Sequence, residues 1–244
     1  MIIYRKYGKT IEITETSKEP SKNRRVFSTR QKNDFLTVRR SDSVRRTKRI
    51  CVRRLSVAIE RFGSPLLITL TFDGVANDVL YASQCFTAFS RRLRTEFLNS
   101  YSLFVPELSP RGRIHFHGLL FGVSQEWGDK YYRKSKRSKR ICTFIGRERT
   151  ERFFQKLWQV GFVDVQQTDG SDRLAGYLSK YITEAINNPL FTPIRLIRLS
   201  KGFPSHFEVR GFIAEELKSY IKTPARFTGS FYTPFLGQIV KTFY

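Results

Sequence analysis

Apolar positions along this chain change period several times, and each change marks an element. Leu66-Leu67-Ile68-Thr69-Leu70-Thr71-Phe72 is a continuous apolar and β-branched run that ends at Asp73-Gly74. It predicts a central strand. From about Asp78 to Asn99 the period is helical, with Leu80, Phe86, Phe89, Leu93 and Phe97 on the repeat. Arg91, Arg92 and Arg94 gather in its C-terminal half, where the helix dipole favours cations. Tyr101 to Leu108 and Arg113 to Phe121 read as two further strands. Pro110-Arg111-Gly112 between them suits a three-residue hairpin loop, with Gly112 left-handed.

Further on, Phe153, Leu157 and Trp158 support a helix over about Arg149 to Val160, and Phe162-Val163-Asp164-Val165 alternates as a strand. A helix over about Asp172 to Ile186 follows, capped by Ser171 or Asp172 and stopped by Asn187-Asn188-Pro189. Ile194 to Leu199 suits a strand and Phe212 to Ile221 a helix; the tail from Phe227 to Tyr244 gives no clear pattern. The order strand, helix, strand, strand, helix, strand, helix predicts an α+β domain. Its arrangement is close to ferredoxin-like or RRM-like, an antiparallel sheet with helices packed on one face.

Residues 1–60 look different. Arg and Lys recur in pairs between short apolar snatches, Ile2 to Tyr4, Phe35 to Val38 and Leu55 to Ile59. These snatches suit strands or pieces of a wrapping arm. The expected division is a basic extension over 1–60, a compact domain over 61–190, and a C-terminal extension over 191–244 that packs on the domain or wraps it.

Charge narrows the function. The chain has 244 residues, and its 44 Lys and Arg against 21 Asp and Glu give a formal net charge of +23. That balance attracts polyanions, nucleic acid first among them, and says nothing about cutting. Lys130 to Arg140 is a basic insert that opens on Tyr131 and Tyr132; with Trp127 and Trp158 these are possible base-stacking groups, Trp158 suiting the core better. Cys51, Cys85 and Cys142 match neither a zinc nor a disulfide pattern. No leader is visible, and no stretch reaches the roughly 18 apolar residues of a membrane span. The expected location is the cytoplasm.

Two constellations carry chemistry. Strand period two puts His115 and His117 on one face, where two imidazoles can grip a divalent ion. The hairpin loop places Glu107 directly across from His115, as a third ligand. Two His and one carboxylate leave coordination sites open, which suits catalysis. The competing reading is a strand whose histidines make ordinary hydrogen bonds. His206 suits ordinary surface. In the second constellation Tyr177 and Tyr181 are four apart and share a helix face, bordered by Lys180. Leu174, Leu178 and Ile182 suit packing on the sheet. A phenol is a weak nucleophile, with a free pKa near 10, but a metal and a nearby ammonium can activate it.

These stretches together resemble the HUH endonucleases. The likeness is to rolling-circle replication initiators of small icosahedral single-stranded DNA phages of the microvirus and gokushovirus kind. Leu67 to Phe72 resembles the family's first motif, Gly112 to Leu120 its metal-binding His-hydrophobic-His motif, and Tyr177-Leu178-Ser179-Lys180-Tyr181 its nucleophile motif. The resemblance covers about Leu66 to Glu184. It implies a metal-dependent endonuclease and strand transferase. Such an enzyme nicks origin DNA by tyrosine attack, keeps a 5′-phosphotyrosine link, leaves a free 3′-hydroxyl and later rejoins the strand. It implies Mg²⁺ or Mn²⁺ as cofactor. It also implies single-stranded or locally melted origin DNA, with the host replication helicase and polymerase, as partners; for a phage protein the location is the host bacterial cytoplasm. One departure bears on the site: relatives often carry a second lysine where this chain has Glu184, which makes Tyr177, paired with Lys180, the first candidate nucleophile and leaves Tyr181 as the second. A non-catalytic nucleic-acid-binding protein, and a transposase or plasmid relaxase of HUH type, are the alternatives.

Overall fold

The computed structural model describes residues 1–18, 41–73, 78–123, 150–168, 173–233 and 237–244. The basic insert, Trp127, Phe35 to Val38 and the Ser171 or Asp172 cap lie outside them. The fold is α+β, with two antiparallel five-stranded sheets and five helices, consistent with a ferredoxin-like class.

By compactness the chain divides into Met1–Phe35 with Pro204–Tyr244, and Leu36–Phe203. These bounds differ from the three sequential segments suggested by charge. The first unit contains β1 (Ile2–Tyr7), β2 (Thr10–Thr16), β8 (Phe207–Arg210), β9 (Phe227–Thr233) and β10 (Gly237–Phe243), ordered β8-β1-β2-β10-β9. The tail without a pattern is therefore half of a sheet. A short helix, Phe212–Ser219, covers one face, where Tyr4, Ile13 and Ala214 are buried. His206 is not ordinary surface: its Nε2 lies 3.7 Å from Glu208 Oε2, and only 15% of its side chain is exposed.

The second unit holds β3 (Leu66–Phe72), β4 (Tyr101–Leu108), β5 (Ile114–Phe121), β6 (Gly161–Gln167) and β7 (Arg198–Leu199), ordered β6-β3-β5-β4-β7. Leu55 to Ile59 is neither strand nor arm. It sits inside α1 (Ser41–Phe62), where Cys51, Leu55 and Ala58 are buried at helical spacing. Its basic residues obscured that spacing, because they occupy the solvent side of the same helix.

One sheet face packs against α2 (Val79–Glu96) and α3, the helical run 150–158. Phe86 meets Phe104 and Phe116, and the buried Trp158 meets Phe72 and Phe89. The Asp78 side chain caps α2 by accepting from the Leu80 and Tyr81 N–H groups. Leu80, expected on the apolar repeat, is exposed, and Val79 and Ala82 are buried instead. The other face carries α1 and α4 (Arg173–Asn187), which buries Leu174, Leu178 and Ile182. No helix among the described residues is long and apolar enough to cross a membrane.

Candidate metal and nucleophile site

The site is built on the β4–β5 hairpin. Gly112 has φ +72°, the left-handed conformation expected of it, and its N–H donates to Ser109 O at 2.8 Å. The Ser109 N–H closes the loop by donating to Arg113 O at 2.8 Å. The loop length fixes the register, so Glu107 pairs with His115 and Val105 with His117. Gly118 then lets Phe104 lie flat across β5, since a Cβ there would meet the Phe104 ring at 2.2 Å.

On the other side of β5, β3 pairs Thr71 with His115 and Thr69 with His117. The Thr71 Oγ1 lies 3.0 Å from His115 Nδ1, and the Thr69 Oγ1 lies 3.2 Å from His117 Nδ1. Each hydroxyl occupies the Nδ1 side of its ring and leaves Nε2 to face the site. Hydrogen bonds of this kind orient metal-binding imidazoles and fix their tautomer. Sequence reasoning assigned the two threonines a strand role only. Their alternation in Leu66–Phe72 was visible, but their partners depend on strand order.

His117 Nε2 is buried and lies 2.5 Å from Glu107 Oε2, yet it has no partner in hydrogen-bond alignment. Proximity without alignment is costly for a buried nitrogen lone pair or N–H. A cation between nitrogen and carboxylate would relieve it. Burial raises the Glu107 carboxyl, but His117, His115 and Lys180 outweigh it and hold the group below its ordinary range. Burial and the charges of His117 and Arg113 hold His115 below its ordinary value, against the opposing pull of Glu107. An ionised carboxylate and a neutral imidazole are the forms in which these groups bind a metal. His115 stands apart from the pair: its ring centroid is 6.2 Å from that of His117. Among the described residues no three His, Cys, Asp or Glu converge as a closed ligand set. The donor chemistry fits a metal of open coordination, with His117 and Glu107 together and His115 beside them.

Helix α4 brings the tyrosines over this strand. Its apolar side seats Leu178 and Ile182 in the core, so position 181 is carried onto β5. The Tyr181 ring stacks on His117, with centroids 4.2 Å apart and planes 14° from parallel. Tyr181 Oη donates to Tyr177 Oη at 2.8 Å. Burial, the bond to Tyr177 and the charges of Glu107 and Glu184 push the Tyr181 phenol up. Tyr177 lies farther out and is 37% exposed. The exposed Lys180 ammonium is 3.9 Å from Glu184 Oε1, one turn along the helix.

A family model for replication-associated proteins of the ORF2 type matches residues 65–186, half of the 244-residue chain. The chain belongs to this replication-associated protein family. The match begins one residue before β3 and ends one residue before the end of α4. It therefore contains the hairpin, both threonines, both histidines, Glu107, Lys180 and both tyrosines. Family membership ties the chain to DNA replication and supports a rolling-circle replication initiator. No curated protein and no solved structure matches it. The β1, β2, β8, β9 and β10 sheet of this replication-associated protein lies wholly outside the matched residues.

Proposed function

We propose that this chain is a metal-dependent endonuclease and strand transferase of HUH type that nicks single-stranded or locally melted origin DNA to start rolling-circle replication. One observation carries the reading. A hydroxyl pair, Tyr177 and Tyr181, sits over a strand where His117 Nε2 is buried without an aligned partner beside Glu107.

Tyr177 is the nucleophile in this proposal. Its oxygen is the exposed member of the pair and accepts the Tyr181 hydrogen bond, which stabilises phenolate character at Tyr177. Tyr181 is the weaker acid, since burial and two carboxylates oppose its ionisation. Attack by Tyr177 Oη forms a bond to phosphorus and breaks the bond to the 3′-oxygen. The phenol proton is released, and the departing oxygen takes up a proton as a free 3′-hydroxyl. A 5′-phosphotyrosine remains, and a later 3′-hydroxyl reverses the step to rejoin the strand. His115, His117 and Glu107 would hold Mg²⁺ or Mn²⁺, which supplies Lewis-acid polarisation of the non-bridging phosphate oxygens. Lys180 adds a positive charge beside Glu107 and the outer tyrosine. The 3′-hydroxyl then serves the host polymerase, with the host replication helicase opening the duplex.

The test is a denaturing protein gel after incubation with labelled single-stranded origin DNA and Mn²⁺. A covalent adduct that disappears in Tyr177→Phe and persists in Tyr181→Phe is the expected result. Absence of any adduct with Mn²⁺ or Mg²⁺ overturns the enzymatic reading and leaves a non-catalytic nucleic-acid-binding protein.

A further inference from the structure

The sheet face opposite the histidines holds a second feature. A cleft of about 330 Å³ opens between the C-terminal half of α2 and the β4–β7 edge. Arg94, Arg195, Arg198 and Lys201 line it, and no Asp or Glu does among the described residues. Register confirms the face. Arg198 pairs with Phe104 on β4, whereas Glu107 on that strand belongs to the histidine face.

Arg198 is built into the floor. Its guanidinium lies over the rings of Phe86 at 4.8 Å and Phe116 at 5.5 Å, and Nη2 donates to Ser83 Oγ at 2.7 Å. Its Nε is buried and has no hydrogen-bond partner. A buried donor left unmade is costly, and guanidinium donors match phosphate oxygens in geometry. Burial and the charge of Arg195 push Arg198 down to about 10, the direction produced by cations gathered without a counter-charge. Ser200 Oγ accepts the Ser102 N–H at 2.9 Å, which orients its own hydroxyl hydrogen away from that amide. The cleft thus combines a fixed arginine, three further cations and hydroxyl groups in a volume at the small end of ligand sites.

We propose that this cleft is a phosphate-binding site, separate from the tyrosines, that holds either a backbone phosphate of a bound DNA strand or the phosphate of a small nucleotide. Both sources present the same tetrahedral anion to Arg195, Arg198 and Lys201. A backbone phosphate here gives the chain a grip on DNA on the far side of the sheet from the cut.

The test uses the full chain and substitutes exposed positions, so folding is preserved. Arg195→Glu with Lys201→Glu is compared with Arg91→Glu, an exposed α2 position that does not line the cleft. Inorganic phosphate and dAMP are titrated against wild type and followed by thermal shift. A single-stranded oligonucleotide is titrated at several salt concentrations and followed by fluorescence anisotropy. The expected result has three parts: phosphate raises the wild-type melting temperature, the double variant loses that rise, and Arg91→Glu keeps it. A backbone site adds a fall in DNA affinity and a salt slope shallower by roughly 0.7 per lost phosphate contact. If DNA binding is unchanged while phosphate and dAMP protection is lost, the source is a free nucleotide. The proposal is overturned if phosphate gives no protection to wild type, or if Arg91→Glu matches the double variant in both assays.

Discussion

Replacing Thr69 and Thr71 with valine tests whether the threonine pair orients the two imidazoles. Valine keeps the β-branched shape that suits a strand and removes only the hydroxyl. The two positions are not equivalent. His117 is 8% exposed, so loss of the Thr69 contact at 3.2 Å leaves its Nδ1 with little access to water. That costs about 1–3 kcal/mol of stability. His115 is more open, so water replaces much of the Thr71 contact, and about 0.5–1 kcal/mol is expected. Loss of such an orienting partner weakens metal affinity by about 10- to 100-fold, equivalent to about 1.4–2.7 kcal/mol. The assay is covalent adduct yield against Mn²⁺ concentration, with melting temperature measured alongside. The midpoint should move to higher Mn²⁺ for both variants, further for Thr69→Val, and adduct formation should recover at saturating metal. An unchanged Mn²⁺ midpoint in the double variant, with adduct still formed, refutes the orienting role.

Other consequences follow from the same geometry. Tyr181→Phe keeps the ring on His117 but removes the bond to Tyr177 Oη; a hydrogen bond to a developing phenolate is worth about 1.5–3 kcal/mol, so single-turnover adduct formation should slow about 10- to 100-fold without being lost. Gly118→Ala drives a methyl into the fully buried Phe104 ring and should lower stability by about 1–3 kcal/mol, read as a lower urea midpoint. Burial raises the Glu208 carboxyl, but Arg210 and Arg5 outweigh it and bring it down to about 2. Its contribution to stability is therefore complete above the ordinary value of 4.5 and is lost as pH falls from there toward about 2. Glu208→Gln should flatten that part of the urea midpoint against pH and leave the profile above pH 5 (about half a unit beyond the ordinary value) parallel to wild type.

Local geometry alone made the heart of the site readable. Period two put His115 and His117 on one face, a loop closed at Gly112 put Glu107 across from His115, and a helical repeat put Tyr177 and Tyr181 together. Each relation spans only a few residues, so the backbone repeat determines it wherever the element sits. The relations that give these groups their chemistry are long-range. Thr69 and Thr71 reach the imidazoles because β3 lies beside β5, more than forty residues away in sequence. Tyr181 reaches His117 because α4 buries Leu178 and Ile182 in one orientation over the sheet. The unpatterned tail becomes a sheet only because β10 pairs with β2. The cationic cleft exists because β7 returns to the edge of β4. Sequence period determines which side chains share a face. Only packing decides which faces meet, because that choice belongs to the whole core and to no single segment.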